Sequence, residues 1–104
     1  MNKRLIYITA ASVEEAAKIG RMLVEERLAA CANLLGRIGS IYWWEGKLQE
    51  EEEAALIVKT TEALVDRVVE RVKQAHSYAC PCVVALSIEG GNPDFLDWIR
   101  LETD

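Results

Sequence analysis

Hydrophobic and polar positions recur along the chain with two different periods, and the period indicates the type of each element. Residues 4–9 (RLIYIT) form an apolar run too short for a stable helix and are predicted as a buried strand. From Ser12 onward, apolar residues return every three or four positions, which predicts an amphipathic helix ending near Arg27. Ser12 and Glu15 have the spacing of a capping box at its start.

The middle of the chain has the pattern of a long hairpin. Residues 31–35 are a second apolar run, followed by two glycines that we expect to interrupt it. Residues 40–60 (SIYWWEGKLQEEEEAALIVKT) predict two strands around a Glu45-Gly46 turn. Each arm of about ten residues extends roughly 33 Å, whereas a helix of about 14 residues rises about 21 Å. The hairpin is therefore expected to outrun the helices that cover the sheet.

The second half of the chain is predicted to repeat the strand, helix, strand order of the first half. Thr61 is predicted to cap a helix that ends at Ala75, and residues 83–88 are predicted as a fourth strand. Asn92 as cap and Pro93 at the first helical position predict a short terminal helix. The order predicts an α+β fold of the ferredoxin-like, split βαβ type, with both longer helices on one face of an antiparallel sheet.

Four consecutive large side chains, residues 41–44 (IYWW), lie in the part of the hairpin that outruns the helices. Such a run makes both faces of a strand apolar, and Trp and Tyr are enriched at subunit interfaces. We therefore predict self-association through this region. The alternative is that the tryptophans fold over the domain's own core.

Composition narrows the possible partners and compartments. A length of 104 residues predicts a single domain spanning residues 1–104. The net charge of −5 argues against nucleic acid as a partner, because nonspecific affinity for phosphates comes from clustered Lys and Arg. No apolar run approaches the ~20 residues of a membrane span, and no secretory signal is evident. With three cysteines in addition, we predict a cytoplasmic protein that does not interact with membranes.

Several motifs together resemble the CutA family of divalent-cation tolerance proteins. They are ERLAACANL at 26–34, SIYWWEGKLQ at 40–49, LIVKTT at 56–61, HSY at 76–78 and NPDFLDWI at 92–99. The resemblance implies a homotrimer of ferredoxin-like subunits joined edge to edge through long hairpins, with a role in tolerance of copper or other divalent cations. The likeness of such trimers to signal-transducing PII proteins implies an alternative, a regulatory module that binds a small ligand in the cleft between subunits.

The resemblance also marks two candidate metal ligands. His76 stands where the family has the histidine of its HPYE stretch, and Cys31 where it has the cysteine of AAC. This chain has Ala75 and Ile8 where some members have a further histidine and cysteine. For His76 the alternative is a helix-terminal imidazole that interacts with the last carbonyls of its own helix.

In the family two glutamates usually stand where this chain has Ala79 and Cys82, and Cys80 occupies a variable position, so two carboxylates are lost and two thiols are present. In an extended segment both side chains point to the same face, and Pro81 fixes the backbone between them. Thiolates are soft ligands that select Cu(I) or Zn²⁺, so both cysteines are candidate metal ligands. The alternative is that both fill the start of a strand as small hydrophobic residues.

Two further features of the sequence bear on its chemistry. Glu45 and the glutamates at 50–53 are predicted to form a solvated hairpin arm, with a cation-collecting patch as the alternative. The chain has no glycine-rich phosphate loop and no plausible serine triad, so it is predicted not to be an enzyme. The alternative for catalysis is Cys80 as a nucleophile activated by His76.

Overall fold

Four strands form one antiparallel sheet in the computed structural model, which describes residues 2–104. The elements in chain order are β1 (Lys3–Ala10), α1 (Val13–Glu25), β2 (Cys31–Trp44), β3 (Lys47–Thr61), a 3₁₀ turn (Glu62–Leu64), α2 (Val65–Ala75), β4 (Val83–Ser87) and α3 (Pro93–Leu101). The strands lie in the order β2-β3-β1-β4, and each neighbouring pair is antiparallel. The predicted α+β, ferredoxin-like order with a long hairpin and a short terminal helix is confirmed.

The main core lies between one face of the sheet and the two longer helices. Alternate residues of β1 and β3 point to this face, and the inward stripes of α1 and α2 cover them. The largest fully buried side chains in this layer are Ile6, Ile8, Ile19, Leu23, Leu56, Val58, Val68 and Val72. Within residues 2–104 no helix is both long and apolar enough to cross a bilayer.

Helix α1 ends at Glu25, slightly before the predicted end near Arg27. The chain leaves the helix through a Schellman motif in which Arg27 takes a left-handed conformation, with φ of 61°. The Leu28 N–H donates to the Leu23 carbonyl at 2.9 Å, and the Arg27 N–H donates to the Val24 carbonyl at 3.0 Å. Glycine normally marks this position, so an arginine there gave no sequence signal of the helix end.

Strand β2 is continuous, and the expected interruption at the glycines is wrong. Leu34 pairs with Leu56 and Gly36 with Ala55, so Leu35 is the extra residue of a β-bulge. Gly36 absorbs the bulge with φ of 85°, a conformation that a side chain disfavours. The glycine bends the strand instead of ending it.

The start of α2 also differs from the prediction at Thr61. Strand β3 runs through Thr61, and the chain then turns once as a 3₁₀ helix before α2 begins at Val65. The Thr61 side chain makes no capping hydrogen bond. The helix is therefore entered through the 3₁₀ turn, without a threonine cap.

The outer part of the hairpin projects beyond the rest of the sheet, as the length comparison predicted. β1 pairs with residues 54–61 of β3, which leaves 38–44 and 47–53 as a two-stranded ribbon. We call this part the outer ribbon. On one face it exposes Trp43 (71%) opposite Leu48 (57%), so Trp43 does not fold over the core of its own chain. Since residues two apart share a face, Tyr42 and Trp44 lie on the other side.

Helix α3 lies on the sheet face opposite α1 and α2. Val58 belongs to the main core, so its neighbour Lys59 points to the other face, where its Nζ lies 5.8 Å from the centre of the Phe95 ring. Asn92 caps this helix by accepting a bond from the Asp94 N–H at 3.1 Å, as predicted. The outer ribbon and the segment after α2 lie at the other end of this face, away from α3.

Candidate functional site

His76 follows the last residue of α2 and ties the next segment to the end of β1. Its Nε2 donates to the Thr9 carbonyl at 2.7 Å, and its Nδ1 accepts from the Tyr78 N–H at 3.0 Å. This pairing of partners assigns the neutral tautomer protonated at Nε2. The side chain has no exposed surface. The alternative in which the imidazole serves the carbonyls of its own helix is wrong, because its carbonyl partner is in β1.

Glu15 holds the same segment from the first turn of α1. Its carboxylate accepts from the Ala11 N–H at 2.9 Å and from both the N–H and the hydroxyl of Ser77, at 2.9 and 3.0 Å. Its own N–H donates to the Ser12 hydroxyl at 3.1 Å, so the predicted cap is confirmed. Burial raises the pKa of Glu15, but the hydrogen bonds from Ala11 and Ser77 outweigh it and hold the pKa below the ordinary value of 4.5.

Glu15→Gln is expected to reduce stability at neutral pH and to matter less in acid. Because the pKa of Glu15 is lower in the folded state, its ionised form stabilises the fold above the unfolded-state pKa, and this contribution is lost as pH falls through the folded-state pKa. The expected loss in the free energy of unfolding is about 1 kcal/mol at pH 7, shrinking as pH falls from about 5 toward 3. Urea unfolding at one protein concentration across this range measures it.

Glu14→Gln is the matched control, since Glu14 is exposed on the first turn of the same helix. This substitution removes the same charge but leaves the hydrogen bonds to Ser77 intact. It should change the free energy of unfolding by less than about half of the loss expected for Glu15→Gln. Equal losses in both variants, or a Glu15→Gln loss independent of pH, would contradict the assignment.

Cys80 and Cys82 both line a groove of about 870 Å³ between the outer ribbon and the end of β1. The Thr9 N–H donates to the Cys82 carbonyl at 3.3 Å, which fixes the segment beside β1. Cys80 is exposed and Cys82 is half-buried. Other side chains of the groove are Tyr7, Tyr42, Trp44, Glu53 and Tyr78. We call this space the ribbon groove.

Cys31 lies away from the ribbon groove. It pairs with Lys59, which in turn pairs with Leu5, and the Lys59 Nζ is 4.0 Å from the Cys31 sulfur. The distance along β1 from Leu5 to Thr9, which lies beside Cys82, is about 13 Å. In addition, β3 lies between β1 and β2, the strand that carries Cys31. The structure therefore brings Cys80 and Cys82 to one space, places His76 beside the same strand end, and leaves Cys31 apart.

Geometry limits how these four residues can meet a metal. Among residues 2–104, no three side chains of the His, Cys, Asp and Glu type converge as a ready metal site. Both ring nitrogens of His76 already have partners. The thiols of Cys80 and Cys82 are not held by structural hydrogen bonds like those of His76, and they are the accessible soft donors of the groove.

Two phenol–carboxylate pairs give the ribbon groove its polar character. The Tyr78 hydroxyl donates to Glu53 at 2.8 Å, and the Tyr42 hydroxyl donates to Glu51. Burial, followed by the bond to Glu53, raises the pKa of the Tyr78 phenol. The bond to Glu51 raises the pKa of Tyr42 to about 12. Both phenols are therefore protonated at neutral pH and act as donors to carboxylates.

Sequence reasoning missed these groove residues. Glu53 was expected in a solvated arm with its neighbours at 50–52, yet it is only 9% exposed because it faces Tyr78 beneath the ribbon. Tyr42 was assigned to the self-association surface. Alternation along the hairpin was the available signal, since it separates Tyr42 and Trp44 from Trp43.

Known proteins match this chain along almost its whole length. The model of the CutA1 divalent ion tolerance protein family matches residues 4–102. The divalent-cation tolerance protein CutA of Archaeoglobus fulgidus is 50% identical over 94 residues, which are 90% of this chain and 91% of that protein. Its solved structure has a TM-score of 0.94 at 46% identity and covers 98% of this chain and 99% of that chain.

A plant relative is longer. The chloroplastic protein CutA 1 of Oryza sativa is 42% identical over 99 residues, which are 95% of this chain but only 56% of that protein. The chain thus spans little more than half the length of this relative and nearly all of the archaeal one. With the family match across almost every element of the fold, the chain belongs to the CutA1 family of divalent ion tolerance proteins.

Proposed function

We propose that the chain is a homotrimeric divalent-cation tolerance protein that binds copper as its cargo through Cys80 and Cys82. The observation that carries the proposal is that Cys80 and Cys82 line one groove, two residues apart along the chain. Thiolate sulfur is soft and favours Cu(I) among the available cations. The relative from Archaeoglobus fulgidus is named a divalent-cation tolerance protein, which supports the cation-tolerance part of the proposal.

His76 and Cys31 have different parts in this proposal. His76 would reach a cation only by giving up its bond to Tyr78 or to Thr9, so its first role is to position the segment that carries the thiols. Cys31 lies beside Lys59 on another part of the sheet and would need a separate cation. The proposal therefore assigns the copper ion to the Cys80 and Cys82 pair and assigns the protein binding, with no catalytic step.

The proposed trimer is supported by unsatisfied surfaces of the single chain. β2 is an edge strand along its whole length, and the outer part of β3 extends past the end of β1. Trp43 and Leu48 expose most of their apolar surface on one face of the outer ribbon. Pairing these edges and faces with neighbouring subunits would remove an aggregation hazard and bury both side chains.

The proposed compartment is the cytoplasm, where free thiols persist. All three cysteines of this chain are free. The related structure from Archaeoglobus fulgidus is described as that of a periplasmic protein. Fractionation of cells that express the chain, with cytoplasmic and exported marker proteins, would distinguish the two compartments.

Anaerobic titration with Cu(I) against a competing chelator tests the copper site. We expect wild-type protein to bind Cu(I), and the Cys80→Ser, Cys82→Ser double variant to bind at least about tenfold more weakly because two soft donors become hard ones. Cys31→Ser is the matched control, since it removes one thiol remote from the groove and should leave the affinity unchanged. Unchanged affinity in the double variant would refute the site.

A regulatory module is the second candidate, and the ribbon groove is the observation that favours it. At about 870 Å³ the groove has the size of a small-molecule site, and aromatic side chains line it. In this alternative a ligand in the groove would contact the outer ribbon. The subunits are proposed to associate through the same ribbon. Ligand binding would then be sensed by the assembly.

A further inference from the structure

We infer that the hydrogen bond between Tyr78 and Glu53 is a latch that fixes the outer ribbon relative to the segment carrying Cys80 and Cys82. We call residues 76–82 the thiol segment. The latch lies within one chain, so it does not depend on which molecule covers the ribbon groove. Its consequence for copper binding and for assembly rests on the proposed function, whereas the latch itself does not.

The outer ribbon joins the rest of the sheet at a point that can bend. Within residues 2–104, β1 pairs with β3 as far as Ala54, so the ribbon beyond it has two strands. In β2 the bulge at Leu35 and the left-handed Gly36 lie just before the ribbon, and a side chain at Gly36 would meet no neighbouring atom within 4 Å. Hinges are often small residues, and a two-stranded ribbon alone is marginally stable. A change of angle at this point would move the whole ribbon.

The thiol segment is held firmly to the body of the domain. The His76 ring bonds to the Thr9 carbonyl of β1 at 2.7 Å and to the Tyr78 N–H at 3.0 Å. Ser77 donates twice to Glu15 of α1, at 2.9 and 3.0 Å. The Tyr78 ring also lies 4.8 Å from the His76 ring, measured between centres. Tyr78 is therefore fixed relative to β1 and α1.

The latch bond connects this fixed point to the base of the ribbon. The Tyr78 hydroxyl donates to Glu53 at 2.8 Å, and Glu53 is the first residue of β3 beyond the part paired with β1. Among the described residues, no other side-chain hydrogen bond joins the ribbon to an element outside the hairpin. A bond to a carboxylate that is only 9% exposed is stronger than one between neutral groups in water. The latch therefore favours one position of the ribbon.

Two proposed properties of the protein meet at the latch. Trp43 and Leu48 of the proposed assembly surface lie on the ribbon, and Cys80 follows Tyr78 by two residues. A cation that orders the thiol segment and a neighbouring subunit that orders the ribbon would both favour the latched state. Since coupling between two sites is reciprocal, copper binding and subunit association would strengthen each other.

Hydrogen–deuterium exchange of the metal-free protein tests the latch. Tyr78→Phe removes the hydroxyl and keeps the ring. We expect amides of the outer ribbon to exchange at least about fivefold faster than in wild type, and those of residues 5–8 in β1 to change less than about twofold. Unchanged exchange in the ribbon, or equal acceleration in β1 and the ribbon, would overturn the inference.

Tyr42→Phe is the matched control for the loss of a phenol. The Tyr42 hydroxyl bonds to Glu51, and both residues belong to the ribbon, so this bond does not tie the ribbon to the thiol segment. The variant should change exchange in the ribbon by less than about twofold. Acceleration equal to that of Tyr78→Phe would show that any lost phenol loosens the ribbon, which contradicts a latch.

Variants of Glu53 test the acceptor. Glu53→Gln keeps an acceptor oxygen at the same reach and should exchange within about twofold of wild type, whereas Glu53→Ala should match Tyr78→Phe. Adding Tyr78→Phe to Glu53→Ala should have no further effect, because both substitutions remove one bond. Additive acceleration in the double variant would mean that the two residues act separately, and the latch would be wrong.

Copper tests the link to the proposed function. Cu(I) bound to wild-type protein should slow exchange in the ribbon at least about threefold, and this slowing should be absent in Tyr78→Phe. Copper binding that leaves the wild-type ribbon unchanged would overturn the link. Failure to bind copper would overturn the copper site alone, since exchange of the metal-free protein decides the latch.

Discussion

Replacement of Trp43 and Leu48 together by glutamate is expected to convert the proposed trimer to monomers. The two residues are direct cross-strand partners, and they are 71% and 57% exposed in the single chain. Burial of a tryptophan of this exposure is worth about 3 kcal/mol or more per subunit. The new carboxylates would share a ribbon face with Glu50 and Glu52, so repulsion adds to the lost burial.

Light scattering after size-exclusion chromatography measures the change directly. Wild-type protein at micromolar concentration should have three times the monomer mass, and the double variant should have the monomer mass. The Trp44→Glu, Gln49→Glu variant adds the same two charges to the groove side of the ribbon and should remain assembled. A monomeric wild type, or dissociation of both variants alike, would refute the proposed surface.

His76→Ala is expected to lower the free energy of unfolding by about 3 kcal/mol even when a chelator removes all metal. The substitution leaves the Thr9 carbonyl and the Tyr78 N–H without their partner and opens a cavity where the ring was fully buried. The loss follows from these hydrogen bonds and from the cavity, and no metal is involved. It should therefore be equal with and without added copper.

Denaturant unfolding in chelator and in copper separates a structural role of His76 from a ligand role. Gln74→Ala is the control, because Gln74 is exposed near the same helix end and should be close to neutral. If His76→Ala unfolded like wild type in chelator and lost stability only in copper, the ring would be a ligand and the hydrogen-bonded role would be wrong.

Periodicity predicted the element order because burial on one face imposes it on the sequence. The apolar stripes of α1 and α2 form one side of the core, and the alternating apolar residues of β1 form the other side. Element boundaries were less predictable where the backbone took an unusual conformation. Arg27 occupies a left-handed position that glycine normally marks, and Gly36 bends a strand that it was expected to interrupt.

The candidate site was predicted only where a motif was local. Cys80 and Cys82 are only two residues apart, and both line one groove, although Cys80 lies in a bend and not in the extended backbone that was predicted. Glu53 and Tyr78 are 25 residues apart, and their contact depends on how β3 and the segment after α2 pack together. A run of four glutamates gives no sign that its last member is buried.

The order of strands also has a consequence for the time course of folding. β2 and β3 are joined by a tight turn, whereas β4 reaches β1 with Arg4 beside Ser87, near opposite ends of the chain. Contacts between residues close in sequence form sooner, because less chain must be ordered to close the loop. During synthesis the hairpin is complete before the segment carrying the thiols leaves the ribosome. The segment that carries the thiols thus completes the groove against a ribbon that has already formed. A chain stalled before β4 would expose the aromatic side chains of the ribbon to chaperones.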